Sequence, residues 1–130
     1  MFKISAVQDK DLQKKYTIEC GAEYSEELFL YAMTDNDSGQ LMGIAQFEIC
    51  KGYGYIKDLK PRLGYSDFEA MFILGRATMN FIDLCGVHRC RASADAGEER
   101  LIRAIGFKLS GDSYEVDMTG MFDGNCANHK

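Results

Sequence analysis

The chain has 130 residues, a formal net charge of −5 and 46% hydrophobic residues, which is typical of one globular domain with a buried core. The acidic balance argues against nucleic acid as a partner, because a phosphate backbone requires a basic surface. No run approaches the ~20 apolar residues of a membrane span, and residues 1–15 turn charged too early for a secretory signal, so we expect a cytoplasmic protein that binds no membrane.

The first half of the chain combines one helical pattern with several strand patterns. Residues 2–8 alternate apolar and polar side chains and predict a strand. Residues 9–25 show helical spacing, with Asp9 or Asp11 as the capping residue and Gly21 as an early end. Three further strands are predicted, separated by the turn sequences "DNDSG" and "KGYG": residues 27–34, 40–50 and 55–61.

The second half begins with a long apolar helix predicted over residues 66–85 and ended by Gly86. The remaining predicted elements are a strand, a short helix and a closing hairpin: residues 87–93, 96–105, 107–111 and 114–122. The two strands that flank the long helix should be parallel, because a helical crossover joins them.

The predicted order is therefore β-α-β-β-β-α-β-α-β-β. This order is typical of an α/β domain with a mixed, mostly antiparallel sheet and helices on both faces. We expect residues 1–122 to form this single domain, and residues 123–130 to be a loose tail.

Five cysteines without a CxxC pair indicate reduced thiols rather than disulfides: Cys20, Cys50, Cys85, Cys90 and Cys126. The sequence "CGVHRC" and the distant "CANH" offer thiols and imidazoles, from His88 and His129, that zinc could use. Their spacing matches no established zinc pattern. We therefore favour packing roles for these residues and expect no metal.

The element order, together with three local patterns, resembles the GNAT acetyltransferase superfamily. The sequence "GQLMGIAQFEI" resembles the hairpin of that family's second and third strands, where G-x-x-x-G-x-A recurs. The sequence "YIKDL" resembles the start of its fourth strand, and "IRAIGFKL" resembles the Y-x-x-x-G-F pattern at the end of its last major helix. The resemblance covers nearly the whole chain, and it implies a single GNAT-like domain.

This resemblance implies a cofactor site for acetyl-CoA or another acyl-CoA. In that family the main chain of the fourth strand and the start of the next helix hold the cofactor. The matching positions here, together with the position of an asparagine that often opens the last major helix, are Leu59, Lys60, Pro61, Ser66, Asp67, Phe68 and Asp95.

The resemblance also implies a proton acceptor for the amine and a donor for the departing thiolate. Asp58 and Glu48 are the candidate bases on neighbouring strands, and Tyr55 or Tyr114 is the candidate acid. The tyrosine position of the family pattern is occupied by Ile102.

The start of the long helix departs from a phosphate-binding loop. A phosphate loop uses glycines, because they let backbone N–H groups approach the anion, whereas residues 66–71 read "SDFEAM". Ser66 and Glu69 have the spacing of a capping box, which would use the same donors. Asp67 adds a negative charge that disfavours a pyrophosphate. We therefore predict weak binding of coenzyme A at a degenerate site.

Two functions remain open. The first is a divergent N-acyltransferase that moves an acyl group from acyl-CoA to a small-molecule or peptide amine. Acidic residues of the segment after the first helix would border the acceptor and favour a cationic amine: Glu23, Glu26 and Glu27. The alternative is a catalytically degenerate binding or interaction module that keeps the fold without the pyrophosphate loop. A homodimer is kept as a candidate assembly.

Overall fold

Seven strands and three helices make up residues 1–122, the part of the chain that the computed structural model describes. In chain order they are β1 (Phe2–Ala6), α1 (Lys10–Glu19), β2 (Phe29–Asp35), β3 (Leu41–Cys50), β4 (Tyr53–Pro61), α2 (Phe68–Leu84), β5 (Arg89–Ala92), α3 (Glu99–Ala104), β6 (Lys108–Ser110) and β7 (Ser113–Asp117). This order confirms the predicted order of elements and the predicted fold class. The tail that we predicted to be loose, residues 123–130, lies outside the described residues.

All seven strands join one sheet in the order β1-β2-β3-β4-β5-β7-β6. Strands β4 and β5 are parallel, as the helical crossover through α2 requires. The other neighbouring pairs are antiparallel. The parallel pairing is short: Gly54, Tyr55 and Ile56 face residues 90–92, and the two strands pair no further.

A β-bulge interrupts the pairing of β3 with β4. Gln46 faces Asp58 and the next residue, Phe47, faces Ile56, so Lys57 is the extra residue. A bulge of this kind can place two consecutive side chains on one face of the sheet. Here Lys57 and Asp58 share a face, since the Lys57 ammonium contacts the Asp58 carboxylate.

The larger core lies between the sheet and α2, whose buried face includes Met71, Leu74, Met79 and Ile82. Gly54 on β4 allows this close packing, because a Cβ there would lie 2.6 Å from the Ile82 side chain. A smaller apolar cluster covers the other face under α1: Cys20, Leu30, Ala32, Leu41 and Ile44. Helices on both faces of the sheet are thereby confirmed.

Helix α1 is capped at Asp9, one of the two predicted capping residues, and ends shortly before Gly21, the predicted early end. Asp9 is its N-cap, and its carboxylate accepts the amides of Asp11 at 2.9 Å and Leu12 at 3.3 Å. The predicted helical stretch extended to residue 25, but the helix ends at Glu19, and Gly21 follows in a left-handed conformation with φ 71°. Among the described residues, no helix is both long and apolar enough to span a bilayer.

Candidate active site

A cavity of about 590 Å³ lies where the end of β4, the start of α2 and the segment before α3 converge. Its lining residues are Leu59, Lys60, Pro61, Ser66, Asp67, Phe68, Met71, Asp95, Gly97, Glu98, Arg100 and Leu101. All seven residues that the sequence proposed for cofactor contact are in this set. The structure thus brings them to one cavity, whose volume is in the range of ordinary ligand pockets. Their contact with a cofactor stays a prediction.

The N-terminus of α2 is capped by Asp67, and the capping box predicted for Ser66 and Glu69 is wrong. Asp67 has an extended backbone (φ −153°, ψ 93°), and its Oδ1 accepts the amide of Ala70 at 3.0 Å. Aspartate caps as well as serine, so the cap moves one position along the chain. The cap uses the Ala70 amide, a donor that an anion at this helix end would need.

Negative charge predominates around the cavity. Three carboxylates and two cations line it: Asp67, Asp95 and Glu98 against Lys60 and Arg100. Lys60 is already engaged, with its Nζ 3.2 Å from Oδ1 of Asp58. The Arg100 guanidinium carbon lies 3.9 Å from the centroid of the Phe68 ring, which is a cation–π contact across the cavity. A cation–π contact does not neutralise the guanidinium, so a pyrophosphate would meet the positive charge of Arg100 together with three carboxylates.

Asp58 lies on the face of the sheet that carries α1, directly before the cavity residue Leu59. It is 4% exposed and accepts three donors. The amide nitrogen of Gln46 lies 2.8 Å from its Oδ2, and the ammonium groups of Lys57 and Lys60 each lie 3.2 Å from a carboxylate oxygen. A buried carboxylate needs such partners to remain charged. An acceptor amine would share the Asp58 carboxylate with these three donors, which leave about one of its roughly four lone pairs unoccupied.

Gln46 is the residue of this network that the sequence reasoning missed. It is 1% exposed, and its carbonyl oxygen accepts the Ser25 amide at 3.0 Å. Its amide nitrogen donates to Glu23 O at 3.0 Å as well as to Asp58. Gln46 therefore ties the acidic segment after α1 to the bulge in β4. A glutamine amid an apolar strand was the available signal, but the pattern does not reveal its partners.

The other catalytic candidates sit on the same face as Asp58. Glu48 and Tyr55 are cross-strand partners of β3 and β4, and both are half-buried. Tyr114 is instead buried in the larger core, with the Arg103 guanidinium 5.8 Å from its ring centroid. Ile102, at the tyrosine position of the family pattern, is fully buried. Asp58, Glu48 and Tyr55 thus share one face, and their catalytic roles stay predictions.

Two of the residues considered for zinc, His88 and Cys90, have other contacts. His88 Nδ1 lies 2.6 Å from Asp83 Oδ1. Cys90 is fully buried, and burial raises the pKa of its thiol to about 12, which disfavours the thiolate that zinc binds. Within residues 1–122 no three potential metal ligands cluster, whereas Cys126 and His129 lie outside the described residues.

Comparison with known proteins identifies the fold. No protein-family model matches the sequence, and no curated protein matches it. Solved structures do match: the chain has the fold of the GNAT acetyltransferases, which confirms the fold expected from the resemblance.

Three of these structures illustrate the likeness. The ribosomal-protein-S18-alanine N-acetyltransferase from Escherichia coli superposes with a TM-score of 0.69 at 16% identity, over 91% of this chain and 94% of that one. A GNAT family acetyltransferase from Brucella melitensis, in complex with acetyl-CoA, gives 0.68 at 15% identity, over 90% and 88%. The PaiA N-acetyltransferase from Thermoplasma acidophilum, in complex with coenzyme A, gives 0.62 at 12% identity, over 90% and 99%. At such low identity the likeness establishes the fold.

Proposed function

We propose that the protein is a GNAT-fold N-acyltransferase that moves an acyl group from acyl-CoA to an amine. The observation that carries the proposal is the cavity at the end of β4, where the residues matched to the family's cofactor contacts converge. The fold itself, and the coenzyme A or acetyl-CoA present in two similar structures, support it. The similar enzyme that acts on the alanine of a ribosomal protein makes a peptide N-terminus a reasonable first acceptor to test.

In the proposed reaction the amine attacks the thioester carbonyl carbon. The new C–N bond forms, the C–S bond breaks and coenzyme A leaves as a thiolate, while the amine loses one proton. Asp58 or Glu48 would take that proton and Tyr55 would protonate the thiolate. The acidic residues Glu23 and Glu26, on the segment tied down by Gln46, would attract a cationic amine, which loses one proton to water to become the neutral amine that attacks.

Coenzyme A is expected to bind weakly, with a dissociation constant above ~0.1 mM, because the cavity carboxylates repel its phosphates. Isothermal titration calorimetry measures this directly. Pantetheine, which lacks the phosphates, serves as the matched ligand. Its affinity should be closer to that of coenzyme A than its smaller contact area alone would give, because it has no phosphates for the carboxylates to repel. A micromolar dissociation constant for coenzyme A would contradict the prediction.

Asp67 provides a sharper test, because the effect of its charge on coenzyme A binding can be separated from the effect of its cap on stability. Asp67→Asn keeps an N-cap of similar strength and removes the charge, so coenzyme A should bind about fivefold more tightly, which corresponds to ~1 kcal/mol. The free energy of unfolding should stay within ~0.5 kcal/mol of the native value.

Asp67→Ala is the matched control for that test. It removes the charge and the cap together and also frees the Ala70 amide, so it should improve binding at least as much while lowering the free energy of unfolding by ~1 kcal/mol. Calorimetry and urea denaturation give the two quantities. If neither variant improves binding, the charge of Asp67 is not what limits affinity.

The alternative is a binding module that has lost turnover. The three donors already bound to Asp58 and the buried Ile102 at the tyrosine position favour this alternative. Release of free thiol from acetyl-CoA, measured with a panel of small amines and of peptides beginning with alanine, separates the two. Binding of coenzyme A without thiol release from any of them would support the module, and acceptor-dependent release would support the enzyme.

A further inference from the structure

The segment after β5 bridges the place where β4 and β5 stop pairing. We call residues 93–97 the strap. Its first amide, Ser93 N, donates to Ile56 O at 3.0 Å, directly after the last paired residues of the two strands. Its carbonyl at Ala96 then accepts the amide of Leu59 at 2.7 Å. The strap thus continues the contact between β4 and β5 past the bulge, without being a strand.

The hydrogen bond between Leu59 N and the strap uses a backbone donor of which the end of β4 has few. On the side that faces β5, backbone N–H groups recur every second residue of a strand. Within β4, which is described over its full length, the next amide on that side after Leu59 belongs to Pro61, and proline has no N–H. Leu59 N is therefore the donor that β4 can offer to an extended ligand beyond the bulge, and the strap takes it.

The strap also packs tightly against the backbone of β4. A Cβ added at Gly97 would lie 2.5 Å from Leu59 O, which is closer than real side chains come. The adjacent Ala96 is fully buried. The absence of a side chain at residue 97 therefore allows the strap to close, and Gly97 itself lines the cavity.

The strap also has contacts within itself, in addition to those with β4. Ser93 O accepts the Ala96 amide at 3.0 Å, and the Ser93 hydroxyl donates to the Asp95 carboxylate. That hydrogen bond lowers the pKa of Asp95. The strap therefore carries an internal turn that can persist when its bond to β4 is broken.

We propose that the strap is an exchangeable gate, which occupies Leu59 N in the free protein and yields it to an amide-bearing acyl-thioester ligand in the cavity. The proposal rests on the proposed function, because it takes acyl-CoA as the ligand. Since only the open fraction binds, the apparent affinity is reduced by the cost of opening. The gate thereby adds to the weak binding that the cavity charges already predict.

The first measurement uses the native protein. Nuclear magnetic resonance detects the scalar coupling across the hydrogen bond between the nitrogen of Leu59 and the carbonyl carbon of Ala96. The coupling should be present in the free protein and disappear on saturation with coenzyme A. A coupling that is absent from the free protein, or that persists at saturation, overturns the proposal.

The second measurement uses Gly97→Ala, whose added Cβ forces the strap off β4. The variant should bind coenzyme A about fivefold or more tightly than the native protein, and the Leu59 amide should exchange faster with solvent. Ala94→Ser, at an exposed position of the same strap, is the control and should change neither quantity. Unchanged affinity in a folded Gly97→Ala variant overturns the gate.

The two proposals fail in different ways. Coenzyme A binding with an intact Leu59–Ala96 bond overturns the gate and leaves the proposed function standing. A lack of coenzyme A binding in both the native protein and Gly97→Ala overturns the proposed function, and the gate with it.

Discussion

Phe47→Ala is expected to lower the free energy of unfolding by about 4 kcal/mol. Phe47 is 1% exposed and lies at the centre of an aromatic cluster. Its ring centroid is 5.6 Å from that of Phe29, 5.3 Å from that of Tyr31 and 6.0 Å from that of Phe81. Truncation would leave a cavity between the sheet and α2, and it would remove three aromatic contacts at once. Urea denaturation measures the loss.

Phe29→Ala is the matched control for this cluster. The Phe29 side chain is 54% exposed and contacts Phe47 from the edge of the cluster. Its truncation should cost less than about 1 kcal/mol, because little apolar surface returns to water and no closed cavity forms. Equal losses for the two variants would contradict the view that Phe47 anchors α2 to β2 and β3.

Asp58→Ala has the second largest expected effect, a loss of about 2–3 kcal/mol in the free energy of unfolding. The substitution removes a buried acceptor and leaves two ammonium groups and the amide of Gln46 without a shared partner. The loss should stay below the largest values for buried ion pairs. The reason is that the Lys57 and Lys60 side chains are 31% and 28% exposed and can turn toward water.

Two further variants decide whether the network causes that loss. Asp112→Ala removes an exposed aspartate in the turn between β6 and β7 and should change stability by less than about 0.5 kcal/mol. Gln46→Ala combined with Asp58→Ala should be less destabilising than the sum of the single changes, because the two residues share a hydrogen bond. Additive losses in denaturation experiments would show that Asp58 and Gln46 act independently.

The order of elements could be predicted because each element has a recognisable local sequence pattern. Alternation marked the strands, and Gly21 and Gly86, both with positive φ here, marked helix ends. The start of α2 could not be placed to the residue, because Ser66 and Asp67 are both good capping residues and adjacent. The sequence does not say which of them takes the extended backbone of an N-cap, and the structure assigns it to Asp67.

The candidate site was likewise predictable in part from the sequence. The cavity residues could be proposed because the family resemblance implies a cofactor at the end of β4, at the start of α2 and before α3, and local sequence patterns locate those three places. The network around Asp58 could not, since Gln46 joins residues of β4 to a loop more than 20 positions away from it. The strap was also missed, because its key contact joins two backbone groups, Leu59 N and Ala96 O. Side-chain patterns do not report such a contact.

The parallel pair of β4 and β5 also has a consequence for how the chain folds. Strands β1 to β4 follow one another in both sequence and space, apart from the helix between the first two, so they can assemble from neighbouring hairpins. Strand β5 joins them through only three register pairs, and α2 must cross over first. Contacts between distant parts of a chain form more slowly than local ones. The topology therefore favours early assembly of residues 29–61 and late closure of the seam between β4 and β5, which is also the seam that the strap spans.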